Sequence, residues 1–314
     1  MRNTLYNIKR VKTIGMVLLS ALLFSRCVDD IPMDISSYKE ELIVNAIFET
    51  SLKSHYIYVS RTGLSAPVPE KDATIKLFIN GVQVKDPSPH TIHNTFPREV
   101  FRPCFLSTEE VKPGDRLRLE VTTKDGKHHA TAETIIPESV GIDKIKWNDP
   151  KEESPIGTLY TTFTDPKGEA NFYQLRFAEE GIFEGKSYRR MLNLDHSQEP
   201  VMNDGNTSSR GESEDFSLGS PDNIMGVFND KWINGTYTLK SGIGVGQMRP
   251  EKKYYVLLSS IPEGFYFYLR AINALEWDEF IEGLSTPIML PSNVQGGKGY
   301  VAGISTARIQ FSKK

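Results

Sequence analysis

Cysteine is what this sequence has least of: two, Cys27 and Cys104, among 314 residues. A disulfide framework is excluded as the source of stability, which must come from packing, and the chain is long enough for more than one hydrophobic core. Cys104 sits in the apolar run Val100-Phe101-Arg102-Pro103-Cys104-Phe105-Leu106 and reads as a small buried hydrophobe rather than a reactive thiol. Long apolar runs are also missing. The longest, Ile14 to Phe24, falls well short of the roughly 20 residues that a membrane-spanning helix needs. A basic excess is missing too. Five of the 37 basic residues (Arg2, Lys9, Arg10, Lys12, Arg26) lie before residue 27, and none of the 40 acidic ones does. The remainder therefore carries 32 basic against 40 acidic residues, a formal net charge near −8. Nucleic acid is excluded as a partner, because its binding needs a basic footprint, and so is attachment to anionic headgroups through a basic patch.

What is present begins at the N-terminus. Positive charge followed by a short apolar stretch has the layout of a secretory signal peptide over residues 1–26. A cysteine stands where cleavage should fall, which resembles the lipobox of bacterial lipoproteins. The resemblance implies lipidation of Cys27, which then becomes the first mature residue. Arg26 departs from the small residue usual before that cysteine. Asp29 and Asp30 resemble the surface-export signal of Bacteroidota lipoproteins. Two or more acyl chains, at about 0.8 kcal/mol per buried CH₂, hold a protein firmly on a membrane. Residues 27–39 are polar and read as a tether.

Beyond the tether, strand signals arrive at short intervals. Leu42–Phe48, His55–Ser60 and Thr74–Ile79 are rich in β-branched and aromatic residues. Asn80-Gly81 before Val82 is a hairpin signal, because both turn residues need positive φ. Leu117–Thr123 and His129–Ile136 flank Lys124-Asp125-Gly126-Lys127 in the same way. Strands follow over Val140–Trp147, over Leu159–Thr164 and Phe172–Phe177 as a hairpin across Asp165-Pro166-Lys167-Gly168, over Tyr188–Leu194, and over Tyr300–Phe311. Residues 195–222 are rich in Asp, Asn, Ser, Gly and Glu, and read as a long loop or ordered insertion of the kind that carries binding function. Ser260-Ile261-Pro262-Glu263 has the spacing of a capping box. Phe265, Tyr268, Leu269, Ile272 and Leu275 then recur at helical steps, which predicts an amphipathic helix over about 261–281. The expected fold is mainly β: two antiparallel β-sandwich domains of immunoglobulin/fibronectin-like type over 40–137 and 138–314, the second holding the insertion and the helix.

No catalytic constellation emerges. Ser65 and Ser305 have a glycine on one side only, so neither sits in a G-x-S-x-G elbow. His90-Thr91-Ile92-His93 lacks the glutamate and the spacing of a zinc helix. His128 and His129 are adjacent, so on a strand they point to opposite faces. Asp204, Asn206 and Ser208 alternate like the start of a calcium loop, but Ser209 stands where the tight turn wants glycine and Asp215 where a bidentate glutamate is usual. Gly296-Gly297-Lys298 and the alternating Gly242, Gly244 and Gly246 match no phosphate loop and read as turns or bulges. No metal site and no cofactor are implied.

Several stretches together resemble one family. They are Gly114–Leu119 leading to Asp125-Gly126, Ala132–Pro137, Phe163-Thr164-Asp165-Pro166 with Asn171-Phe172-Tyr173, Phe228–Tyr237 around Asn234-Gly235, and Pro287-Ile288 followed by Ser292-Asn293-Val294-Gln295-Gly296-Gly297. The most specific is the last, although Lys298 departs from the usual wording after the double glycine. The chain resembles, over nearly its whole mature length, the Bacteroidota outer-membrane lipoproteins catalogued as domain of unknown function 4249. The resemblance implies lipid anchoring at the outer membrane, exposure at the cell surface, and a TonB-dependent receptor as partner. It implies a non-catalytic role as a ligand-binding or accessory subunit of nutrient uptake for an unidentified small ligand. The family has no defined catalytic residues to carry over. A structural or adhesive surface protein and an enzyme acting on glycans or peptides are the alternatives.

Overall fold

The computed structural model describes residues 39–63, 66–94, 100–150, 154–183, 186–203, 225–249, 252–277 and 290–311. In chain order the strands are β1 (Leu42–Glu49), β2 (His55–Arg61), β3 (Val68–Pro69), β4 (Thr74–Ile79), β5 (Val82–Gln83), β6 (Ser88–Asn94), β7 (Val100–Ser107), β8 (Arg116–Thr122), β9 (His129–Ile135) and β10 (Lys144–Asn148). There follow β11 (Ile156–Thr164), β12 (Phe172–Phe183), β13 (Lys186–Leu192), β14 (Val227–Asn229), β15 (Thr236–Gly244) and β16 (Lys253–Ser260), then the helix α1 (Glu263–Trp277), and finally β17 (Val294–Gln295), β18 (Gly297–Lys298) and β19 (Val301–Phe311). The fold is mainly β, as the strand signals imply.

The strands form three sheets. The largest has eleven, with the path β13-β12-β16-β19-β1-β2-β7-β6 and β3, β14 and β18 attached at its sides. A five-stranded sheet, β17-β9-β8-β4-β5, faces one half of it, and a three-stranded sheet, β10-β11-β15, belongs with the other half. Strand alternation decides the first core. Leu42, Val44 and Phe48 of β1, with Ile57 and Val59 of β2, point inward against Ile75, Leu77, Leu117, Leu119 and Val121 of the five-stranded sheet. In the second core, Leu159, Phe163, Leu239 and Ile243 of the three-stranded sheet meet Tyr173, Leu175, Phe177, Val256 and Leu258.

β19 takes part in both. Val301 lies in the first core and Phe311 in the second, and eleven residues at about 3.3 Å each give the strand the reach to do so. It pairs antiparallel with β16 over Ser305–Phe311 and parallel with β1 over Val301–Ile304. Covered on both faces, Val301 to Ser305 are all buried. On the far face Ala302 and Ile304 pack under α1, against Phe265, Tyr266 and Leu269.

Three sequence expectations change. The strands flanking Asp165–Gly168 are not a hairpin: β11 lies in the three-stranded sheet and β12 in the large one. The chain crosses between layers because Asp165 is drawn inward, its amide donating to the Gly235 carbonyl and its carboxylate accepting from the Tyr173 hydroxyl. The capping box does not form. Ser260 ends β16 opposite Ser305, and the helix starts beyond Pro262, whose carbonyl accepts from the amides of Phe265 and Tyr266. The buried helical stripe includes Tyr266 and leaves Leu275 exposed, because α1 lies on a sheet already filled by Tyr300 and Ile304. Residues 278–281 lie outside the described residues. Beyond these, β6 and β7 pair over their full length although Pro89 and Pro103 lie within them. Pro89 and Pro103 fit because β6 is an edge and β7 pairs with β2 only over Phe105–Ser107.

The Asn80-Gly81 hairpin forms as expected, with φ of 53° and 81°. The strap from Ser292 to Tyr300 ties two layers together. Val294 pairs with Ala132 of the five-stranded sheet, and three residues later Gly297 pairs with Leu42 of the large one. Asn293 donates to the carbonyls of Glu133 and Val301 and accepts from the Val301 amide. Gly299 has φ of 107°, and a Cβ there would sit 2.2 Å from the Val44 carbonyl oxygen. At Gly126, also at positive φ, a Cβ would meet nothing within 4 Å. Gly126→Ala should therefore cost about 1 kcal/mol, the price of backbone conformation alone. Gly299→Ala should cost about 3 kcal/mol or more, because the strap must also move. Urea unfolding of the two variants checks this, and equal losses would contradict the steric account.

Candidate functional site

Several sequence candidates lie outside the described residues: Cys27, Asp29 and Asp30, and the calcium-like series Asp204, Asn206 and Ser208. The others can be placed. Cys104 is a free thiol, buried on β7, with burial pushing its pKa up. His90 and His93 sit on β6 at odd separation and so face opposite ways. His90 stacks on Tyr56 and His93 on Phe101, with ring centroids 5.9 Å and 4.3 Å apart. His128 approaches Glu40 at 3.6 Å, while His129 pairs with the Thr122 hydroxyl. Ser305 is fully buried. Among the described residues no three His, Cys, Asp or Glu side chains gather as metal ligands.

The residues that carry the family resemblance are absorbed by the scaffold. Asp165 and Tyr173 make the buried corner between layers. Asn171 donates through its amide to Asp230 and through its side chain to the carbonyls of Pro166 and Glu169. Asn293 and the glycines after it form the strap. These positions hold backbone in place.

The remaining candidate is the segment over 195–222, and its first nine residues are well placed. After β13 the chain bridges to β15: the Asp195 amide donates to the Gly242 carbonyl at 2.9 Å, and the Gly242 amide returns a bond at 2.7 Å. His196 is buried, its Nδ1 3.1 Å from the Ser241 hydroxyl. Glu199 is the hub. One oxygen accepts from the Tyr237 hydroxyl at 2.8 Å, and the other accepts from the Lys240 amide at 2.6 Å. The first oxygen also caps the short 3₁₀ turn Pro200–Met202, which drives Val201 and Met202 into the second core. Asn203 closes the turn by donating to the carbonyls of His196 and Glu199. On the return side, the Met225 carbonyl accepts from Gln174, and the Gly226 carbonyl accepts from the Leu175 amide. Residues 204–224 thus leave a fixed root at Asn203 and return to one at Met225.

Electrostatics support a rigid root. Burial lowers the His196 pKa to about 4, against a smaller raising influence from Asp195, so the imidazole is neutral at pH 7. Burial raises the Glu199 pKa, although the bonds from Lys240, Tyr237 and Val201 pull the other way. Tyr237 is raised by its own burial and by Glu199. Asp195, His196 and Ser241 have the residue types of a nucleophile–base relay, but His196 and Ser241 are each 1% exposed, which leaves no approach for a substrate. Their role is to position the segment. The sequence does carry a signal for this root: the apolar pair Val201-Met202 after Pro200, directly behind a run of hydrogen-bonding side chains. The polar composition of the whole segment concealed it.

A family model described as a domain of unknown function (DUF4249) matches residues 28–310. No curated protein matches the chain. Among solved structures, the crystal structure of bovine butyrophilin is similar at 8% identity and a TM-score of 0.20, over 88% of this chain and all of that one. The apo structure of Bacteroides uniformis beta-glucuronidase 3 is similar at 15% identity and a TM-score of 0.18, over 71% of this chain and 23% of that one.

The neutral His196 sets a pH dependence. Its folded pKa lies below the unfolded value of 6.5, so the unfolded chain binds the proton first, and stability falls as the pH drops through the window from 6.5 to about 4. Between pH 7 and pH 4.5 this residue should remove about 2–3 kcal/mol. The raised Glu199 works in the opposite direction. Urea unfolding at both pH values should show a steeper acid loss for the native protein than for His196→Gln. Identical slopes would contradict the assignment.

Proposed function

The chain belongs to the domain of unknown function 4249 family, and from that premise we propose that it is a surface-exposed outer-membrane lipoprotein. In this reading it serves as a non-catalytic ligand-binding or accessory subunit of a TonB-dependent nutrient uptake system in a member of the Bacteroidota. The observation that carries the binding role is the rooted segment. A rigid β-scaffold fixes both ends of a long polar connection through Glu199, Asn203 and Gly226, which is how loops are presented for recognition. The sequence around Cys27 supports the location. Residues 1–26 are removed, Cys27 takes the lipid, and 27–39 serve as the tether. The acidic body supports lipid, not a basic patch, as the grip on the membrane.

Two experiments test this. Cells grown with radiolabelled palmitate should label the native protein and not Cys27→Ser, which should leave the membrane fraction; label on the variant, or none on the native protein, would count against the anchor. In mild detergent the native protein should co-purify with a TonB-dependent receptor. A version with 204–222 replaced by a short Gly-Ser linker should remain folded, because 195–203 stay in place, and should lose receptor binding. Removal of 195–222 should instead unfold it, since Glu199, Val201 and Met202 go with the segment. Isolation of the native protein without any receptor from a strain that makes one would overturn the proposal.

A further inference from the structure

On the face of the large sheet away from the second core, register fixes which side chains stand together. Arg176 and Glu180 of β12, Arg189 of β13, Lys253 of β16, Arg308 of β19 and Glu49 of β1 share it. The charges form a chain. Arg176 reaches Glu49 at 3.2 Å, and Arg189 approaches the same carboxylate at 3.8 Å. Arg189 also donates its Nε to Glu180 at 2.7 Å, and Arg308 donates to the other oxygen of Glu180. The guanidinium carbon of Arg308 lies 3.7 Å from the centre of the Tyr255 ring, over its face. Burial alone would raise the Glu49 pKa, but Arg176, Ser51 and Arg189 outweigh it and keep the carboxyl below its usual range. Glu49 is therefore held as the carboxylate, and both glutamates are shared between arginines.

The arrangement is unbalanced in two ways. It carries four cations against two carboxylates, on a chain that is otherwise acidic. Donors also outnumber acceptors. Each guanidinium has about five N–H groups, while the four carboxylate oxygens serve three arginines and the Ser51 hydroxyl, and the Ser259 and Thr306 hydroxyls take further bonds from Arg176. Arg308, Lys253 and Gln310 on this face are exposed. A guanidinium is a planar fork that matches a carboxylate, with up to two parallel bonds to each.

We propose that this face is a binding site for a small polycarboxylate ligand, held by Arg189 and Arg308 with Lys253 beside them. The proposal deepens the uptake reading above and rests on it, by naming the ligand class. Isothermal titration of the full mature protein with citrate, at low ionic strength, tests it. Saturable binding is expected, weakened at least tenfold in an Arg189→Gln/Arg308→Gln variant and strongly weakened by about 0.5 M NaCl. Glu180→Gln removes the carboxylate that competes for both forks and is expected to tighten binding severalfold, an effect that a purely structural ion pair would not give. Arg118→Gln, on the five-stranded sheet, is expected to bind as the native protein does. Absence of citrate binding, unchanged binding in the double variant, weaker binding in a folded Glu180→Gln, or equal affinity for inorganic phosphate would each overturn the site. Receptor co-purification is read separately. A protein that stays with its receptor but ignores citrate loses this site and keeps the proposed function, whereas failure of both removes the reading beneath it.

Discussion

The pairing of β19 with β1 is the contact on which the rest of the structure depends. It joins residues 46–49 to 301–304, almost the whole described chain apart, in parallel register. Without it the large sheet divides between β19 and β1, and each smaller sheet is left facing a fragment. A parallel contact between distant segments brings no turn to help it form, and loop closure over some 250 residues carries an entropic cost of several kcal/mol. The strap before β19 offsets that cost. It docks Val294 on one layer and Gly297 on the other, so that Val301 enters the sheet with its position already set.

The same logic accounts for the residues that make the family recognisable. Asp165, Tyr173, Asn171, Asn293 and the glycines of the strap all sit where the chain passes from one sheet to another. Such crossings leave backbone donors and acceptors away from a ladder, and buried groups of that kind must find partners. A side chain of one particular length and chemistry supplies each partner, and a glycine is needed where backbone approaches backbone too closely for a Cβ. Residue identity at these points is dictated by geometry. Much of the recognisable sequence of this protein is thus a record of its layer changes, while Asp125-Gly126 marks a hairpin within one sheet.

The two features on which binding is proposed lie elsewhere, away from these crossings. The root of the 195–222 segment is buried and kept neutral at His196, while the charged face over β12, β13, β16 and β19 remains half open. The two differ physically. The root gains from satisfied hydrogen bonds in a low-dielectric setting, where removal of one partner strands the other. The charged face keeps part of its field directed outward, because its cations exceed the carboxylates that neutralise them.

The sequence by itself determined what is local. Apolar, β-branched and aromatic residues concentrated in Leu42–Phe48 and Thr74–Ile79 placed strands, since such side chains suit a pleated, buried surface. Asn80-Gly81 placed its hairpin, because few other residue pairs tolerate two positive φ angles in succession. The spacing of Phe265 and Leu269 placed a helix. Only the tertiary structure decided what is remote. Whether Asp165–Gly168 closes a hairpin or crosses between layers depends on Gly235 and Tyr173. Whether Ser260 caps a helix or ends a strand depends on Ser305. The polar run Asp195–Glu199 gives no sign in isolation that Tyr237, Lys240 and Ser241 will bury it. The charged face is equally hidden, for Glu49, Arg176, Arg189 and Arg308 come from four strands spread over 260 residues. Short-range pattern is written in the order of residues along the chain. The pairing of distant strands is settled by which packing buries the most apolar surface while leaving no backbone group without a partner.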